Sequence, residues 1–248
     1  VNANGLWLLP SRGRVNVLWR YVNEAVNTGL STPGIILVQH DEVSDYGRLE
    51  LPDGWRLVST QSQQMGDKIR EASGLYMKLD WVGILTDDLV PETHGWDRIL
   101  VEEAVGGRHI ASCADGTNQM PRRMGAAVWP GELLRAVGYL HPRGFNHLYF
   151  DDVWEMLGRA TGCWKERLDV MVRHLHPFLT GVEDDTHRTT YSDANWIHDR
   201  QAFEDWKLYV RPNSVRAIKQ YLTSSGAGDK AVLGPPSAQP DPMTAGSY

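Results

Sequence analysis

The sequence predicts an α/β fold, a single domain built on a mostly parallel sheet flanked by helices and followed by a C-terminal helical appendage. Three observations predict it. Short unbroken apolar runs at residues 6–9, 35–38 and 82–85 have the length and composition of strands buried on both faces. Segments with helical spacing separate them, which is the pattern of a sheet with helices on its faces. Each run also stops abruptly at polar residues: Ser11-Arg12-Gly13-Arg14, His40-Asp41-Glu42 and Asp87-Asp88. The C-terminal ends of strands are where open α/β sheets bind ligands.

The elements follow in order. Leu6-Trp7-Leu8-Leu9 is a strand, Pro10 to Arg14 a loop, and 15–27 a helix with Val15, Leu18, Trp19, Val22 and Val26 at helical spacing. The loop brings a hydroxyl and two guanidinium groups to a helix N-terminus, which suits an anionic ligand such as a diphosphate, although SRGR also makes a surface turn. A second strand covers 35–39 and a third 55–60, after the turn Leu51-Pro52-Asp53-Gly54; a helix at 65–73 puts Met65, Ile69 and Ala72 on one face.

The fourth strand ends at Asp87-Asp88. Adjacent carboxylates at a strand end repel each other, and a divalent cation with oxygen ligands relieves the repulsion; the alternative is a solvated turn. Helix 95–106 and strand 109–113 come next. Residues 117–130 read as irregular, with Val128-Trp129-Pro130 leading into a helix at 131–137. The polar and aromatic loop 141–147 then runs into a helix whose first turn carries Asp151 and Asp152, placed either for acid–base work or simply to complement the helix dipole.

Residues 169–172 form the last strand, continued by His174-Leu175-His176-Pro177, and period two points His174 and His176 to the same side. Such a pair can complete a metal site or be structural. Residues 199–222 read as an amphipathic helical appendage broken at Pro212, and 224–248, rich in Gly, Pro, Ser and Ala, as a disordered tail. The expected units are therefore a catalytic domain at 1–195, the appendage at 196–223 and the tail.

Composition narrows the function classes. Lys plus Arg 25 against Asp plus Glu 31 gives 25 − 31 = −6, which argues against a protein that coats nucleic acid. No run approaches the roughly 18 apolar residues of a membrane helix, and no basic-then-apolar signal pattern opens the sequence, so no membrane partner and a cytoplasmic location are expected. Cys113 and Cys163 have no ligand spacing and read as core residues. Most of the ten tryptophans read as core filler.

Taken together, LLPSRGR, a strand ending in an acid, TDD, a mid-chain loop, FDDVW and a late HLHP resemble the GT-A (Rossmann-like) glycosyltransferases, especially small enzymes similar to glycosyltransferase family two. The spacing of YFDDVWEMLGRATG, VRHLHP and Thr189-Thr190-Tyr191 is most similar to bacteriophage-encoded members. The resemblance spans about residues 5–195.

It implies a divalent metal, Mn²⁺ or Mg²⁺, and a nucleoside-diphosphate sugar donor, with a UDP-sugar favoured. Pro10, Ser11, Arg12 and Arg14 then lie on the diphosphate and Asp41 near the base or ribose. Thr86 stands where the family has its first acid, so Asp88 is the direct metal ligand and Asp87 holds ribose or a metal-bound water. Asp151-Asp152 matches the pair that supplies the catalytic base, and His174 or His176 the late metal-binding histidine. The implied reaction is hexosyl transfer with inversion.

A phage origin would make hydroxymethylated DNA an acceptor and the host cytoplasm the location; a glycan or protein is the alternative acceptor. For DNA, Arg122, Arg123, Arg135 and Arg143 with Trp129, Phe145 and Tyr149 are the candidate phosphate and stacking surface. The competing functions are a metal-dependent nucleotidyltransferase and a non-catalytic sugar-nucleotide-binding module of the same fold.

Overall fold

The computed structural model describes residues 3–116, 125–175 and 185–224. Its strands are β1 (Gly5–Pro10), β2 (Gly34–Gln39), β3 (Trp55–Thr60), β4 (Trp81–Ile84), β5 (Leu89–Pro91), β6 (Ile110–Ala114), β7 (Ala127–Pro130) and β8 (Trp164–His174). They lie in the order β3-β2-β1-β4-β7-β6-β8-β5. β3, β2, β1 and β4 are parallel neighbours. β7 enters antiparallel between β4 and β6, β8 runs parallel to β6, and β5 pairs antiparallel with β8.

Alternation along the strands sorts the core into two layers. Leu6, Leu8, Ile35, Leu37, Val82 and Ile84 face one layer, covered by α3 (Met65–Glu71), α6 (Gly131–Val137) and α7 (Phe150–Thr161). Trp7, Leu9, Ile36, Val38 and Trp81 face the other, covered by α1 (Val15–Asn27) and α5 (Trp96–Gly107). Two short helices, α2 (Val43–Tyr46) and α4 (Ser73–Tyr76), complete the parallel half.

Tryptophan and glycine fix the register there. Gly5 pairs with Trp81, Trp7 with Gly83, and Gly34 with Trp55. In each case a Cβ on the glycine would come within 2.1–2.5 Å of the indole ring, so the missing side chain is the space the ring fills.

The C-terminal chain forms α8 (Asp185–Thr190), α9 (Asp193–Asp205), a π-helical stretch (Trp206–Val210) and α10 (Arg211–Thr223). Pro212 sits in the first turn of α10, where its missing N–H costs nothing. The expected break at Pro212 is not seen: the chain stays helical from Asp193 to Thr223 and accommodates the proline with a wider π-turn just before it. Trp206, Ile218 and Tyr221 pack into the same layer as α7.

Several expectations are corrected. Residues 127–130 are a strand, because Ala126 to Pro130 are fully buried and the N–H that Pro130 lacks is tolerated at the last strand position before α6. β8 begins at Trp164, well before 169, and changes partner register at a bulge between Cys113 and Ala114. On α1 the buried face is Leu18, Tyr21, Val22 and Ala25; Trp19 and Val26 are exposed, because the helix is rotated relative to the apolar spacing read from sequence. Trp129 and Phe145 are fully buried core residues, so neither can stack on a DNA base, whereas Arg135 is exposed and donates through Nη1 to the carbonyls of Met77 and Leu79. Arg122, Arg123, His176 and residues 225–248 lie outside the described residues. Both cysteines are buried, and burial pushes each thiol up, as core residues require. No helix among the described residues is long and apolar enough to cross a membrane.

Candidate functional site

Parallel pairing of β1 with β4 brings their C-terminal ends side by side, with Leu8 opposite Ile84. The loop after β1 therefore meets the acids after β4. Pro10, Ser11, Arg12, Arg14, Thr86, Asp87, Asp88 and His174 line one cleft, and Gln64, Lys68, His147, His187 and Tyr191 complete much of its wall.

The centre is a buried ionic cluster. Ser11 Oγ donates to Asp87 Oδ2 at 2.6 Å and shares a 2.9 Å hydrogen bond with Tyr46 OH, which also accepts from the Arg14 N–H. Arg14 Nη1 lies 2.9 Å from Asp87 Oδ1 and 3.4 Å from Asp88 Oδ2, and its Nη2 contacts the His187 ring at 2.7 Å. Thr86 Oγ1 donates to Asp88 Oδ1 at 2.7 Å. His174 Nε2 lies 3.2 Å from Asp88 Oδ1, and His187 Nε2 3.5 Å from Asp88 Oδ2.

The environment drives the two acids apart. Burial, then the Asp88 charge, raises the Asp87 carboxyl above the usual range, against Arg14 and Ser11. Burial also works against ionised Asp88, but the His174 charge and the hydrogen bonds from His174, His187 and Thr86 outweigh it and hold that carboxyl well below the usual range. His174 is correspondingly raised: burial opposes its charge, and Asp88 more than compensates.

The donor set fits a hard divalent cation in part. Asp88 and His174 converge on one corner, a carboxylate and an imidazole of the kind Mn²⁺ accepts. Among the described residues no three-ligand protein cluster is preformed. Such ions commonly take only one or two protein ligands and complete their shell with substrate phosphates and water. In this structure the Arg14 guanidinium supplies the compensating positive charge.

Three predicted residues are placed differently from the rest. Asp41 is exposed on the turn after β2 and does not line the cleft, although its charge reaches Lys68. Its neighbour Glu42 is the one that engages the loop, accepting from Gly13 N at 2.7 Å. Asp151 and Asp152 lie in the first turn of α7 and, like Asp41, are not among the residues that line the cleft. The Asp151 charge acts on both His147 and His174, whereas that of Asp152 acts on Tyr149.

Sequence reasoning missed Lys68, His187 and Asp199. Lys68 is 1% exposed, donates to Ser11 O at 2.6 Å, and burial pulls its ammonium down to about 8. Asp199, fully buried on α9, accepts from the backbone N–H groups of Asn146, His147 and Leu148 at 2.8, 2.9 and 2.7 Å. Arg70 holds the same loop from its other side through Pro142 O and Phe145 O.

No family model matches the chain, and no curated protein matches it in sequence. Solved structures do. The mannosyltransferase PcManGT from Pyrobaculum calidifontis, in complex with GDP-Man and Mn²⁺, is similar over 92% of this chain and 76% of its own, with TM-score 0.59 and 10% identity. Glucosyl-3-phosphoglycerate synthase from Mycobacterium tuberculosis, in complex with Mn²⁺, UDP and phosphoglyceric acid, is similar over 71% of this chain and 72% of its own, with TM-score 0.52 and 12% identity. A further mycobacterial protein covers 74% of this chain and 77% of its own at TM-score 0.53 and 11% identity. The fold is thus the GT-A, Rossmann-like fold: a curled, mostly parallel sheet flanked by helices, with a C-terminal helical region.

Proposed function

We propose that the protein is a metal-dependent glycosyltransferase that moves a sugar from a nucleoside-diphosphate sugar to a hydroxyl acceptor. The observation that carries this reading is the convergence of the Ser11–Arg14 loop, Asp87-Asp88 and His174 at the adjoining ends of β1 and β4. The two GT-A neighbours of known ligand hold Mn²⁺ with GDP-Man or UDP, which supports the same donor class here.

Asp88 and His174 hold the metal in this reading, with His176 its second candidate histidine. A divalent cation supplies positive charge for the departing diphosphate. Pro10, Ser11, Arg12 and Arg14 form the diphosphate cradle, and the two arginines stabilise negative charge as it develops there. For that role Arg14 exchanges its carboxylate partners for phosphate oxygens. Asp87, held by Ser11, faces the ribose, and Asp41 stands at the nucleoside end. Asp151, whose field reaches the metal corner, is the stronger candidate than Asp152 to accept the proton of the acceptor hydroxyl. Base and donor on separate elements of one sheet edge suit a single displacement with inversion.

The test is release of free UDP or GDP from UDP- and GDP-sugars with Mn²⁺. The wild type is expected to hydrolyse one donor slowly and Asp88→Ala to lose at least about 100-fold of that rate, as removal of a group that stabilises developing charge does. Binding without turnover would favour the binding module, and pyrophosphate produced from a nucleoside triphosphate and a sugar phosphate would favour the nucleotidyltransferase.

A further inference from the structure

Lys68 is buried with little to compensate it. It is 1% exposed on α3, where a leucine or methionine would fill similar space without a charge to desolvate. An ammonium carries three donors, and Lys68 uses one of them, to Ser11 O at 2.6 Å. Among the described residues no other group accepts a hydrogen bond from it.

Both ends of this contact are fixed. Gly66 N donates to Asn146 O at 2.8 Å, a Cβ on Gly66 would come within 2.4 Å of Phe145 O, and Arg70 donates to Pro142 O and Phe145 O. These hold α3 against the 141–147 loop. At the other end Ser11 N donates to Leu37 O at 3.0 Å, and Ser11 Oγ donates to Asp87. Lys68 therefore ties α3 to the Pro10–Arg14 loop, on the wall of the cleft.

Charged groups face the ammonium from each neighbouring element: Arg12 after β1, Asp41 and Glu42 after β2, and Asp87 after β4. Arg14, Asp88, His147, His174 and His187 line the same cleft. On α3 itself Asp67 pairs with Arg70, and Glu71 accepts from the N–H groups of Gln61 and Ser62. Burial outweighs the acids and pulls the ammonium down to about 8, so at that pH the group is half charged.

We infer that Lys68 is a positioning residue for the diphosphate loop, and that a nucleotide binding to this loop takes up a proton on Lys68; the inference rests on the sugar-nucleotide reading of the cleft. A negative charge at roughly 6 Å, at an effective dielectric of about 20, strengthens proton binding about a hundredfold. The proton comes from solvent, and the N–H bond on Nζ is the only bond formed. Lys68 is then fully charged, and grips the Ser11 carbonyl most firmly, when the diphosphate lies on the loop. Below about pH 8 the ammonium is already charged and binding is at full strength. Above it each nucleotide must bring a proton, so affinity falls as pH rises, about tenfold between pH 7 and 9.

Isothermal titration of UDP and GDP into the full chain with Mg²⁺ at pH 8, repeated in buffers of different ionisation enthalpy, counts the protons taken up. The wild type is expected to take up about half a proton per nucleotide through Lys68. Lys68→Arg, whose guanidinium stays charged, loses that uptake and binds within about threefold of the wild type at pH 7. Lys68→Met binds about tenfold more weakly at pH 7 and weakens no further by pH 9, whereas a lysine that only filled space would cost the same factor at every pH. Differences between wild type and variant cancel the protons of Asp87 and His174 in the same cleft. Equal uptake in wild type and Lys68→Arg, or affinities of wild type and Lys68→Met that fall in parallel from pH 7 to 9, would overturn the inference. Donor hydrolysis without Lys68-dependent uptake removes the inference alone. Such uptake without hydrolysis removes the transferase reading and leaves the inference, and binding of neither nucleotide removes both.

Discussion

Replacing Asp199 by asparagine tests whether the loop before α7 is held as described. The carboxylate is fully buried and takes three backbone donors: Asn146 on Oδ1, and His147 and Leu148 on Oδ2. The hydrogen bonds hold the carboxyl below its usual range although burial works against ionisation. An isosteric amide keeps one acceptor oxygen and turns an NH₂ toward the remaining donor. One charge-assisted bond is lost, worth about 2 kcal/mol, and two are weakened by roughly 0.5–1 kcal/mol each. The sum is about 3–4 kcal/mol, or a fall of roughly 6–16 °C in Tm for a chain of this size. Urea unfolding at pH 7, followed by circular dichroism, measures it. Because the native carboxyl is depressed, its stabilisation is complete above the ordinary unfolded value near 3.8 and is lost as pH falls through the native one. The gap between wild type and Asp199→Asn therefore closes below about pH 4. Equal urea midpoints at pH 7, or a gap that widens in acid, would refute the reasoning.

Two further outcomes concern the supports of the cleft. Burial lowers His141 from 6.5 to about 3, so the unfolded chain takes up a proton that the native protein refuses, and stability falls as pH drops below 6.5. Between pH 7.5 and 5 this costs about 2 kcal/mol, to be read as the difference in urea-midpoint slope between wild type and His141→Asn; parallel slopes would contradict it. Gly83→Ala puts a Cβ 2.1 Å from the buried Trp7 ring and should destabilise by about 3 kcal/mol in thermal melts, since that ring has nowhere to move.

The parallel half of the sheet was legible in the sequence because β1, β2 and β4 are unbroken apolar runs that end at polar groups. The diphosphate loop and Asp87-Asp88 could be read for the same reason: each follows a strand end directly. β7 was not legible, because four residues ending in proline look like a helix entry until an antiparallel partner exists on each side. The cluster's other members are set by distance in sequence. Arg14 meets His187 across 173 positions, Lys68 meets Ser11 across 57, and Asp199 meets Asn146 across 53. No local pattern announces such pairs; an acid in a helix with weak amphipathic character, as α9 is, was the one available hint for Asp199.

The central claim is that Asp88 and its neighbours bind a divalent cation together with a nucleoside diphosphate. Electron paramagnetic resonance of Mn²⁺, titrated into the protein with and without UDP or GDP, tests it most directly. The wild type should bind Mn²⁺ weakly alone and at least about tenfold more tightly with one nucleotide, because phosphate oxygens complete the shell, and Asp88→Ala should lose that enhancement. Nucleotide binding that is indifferent to Mn²⁺, or an enhancement that survives in Asp88→Ala, would contradict it.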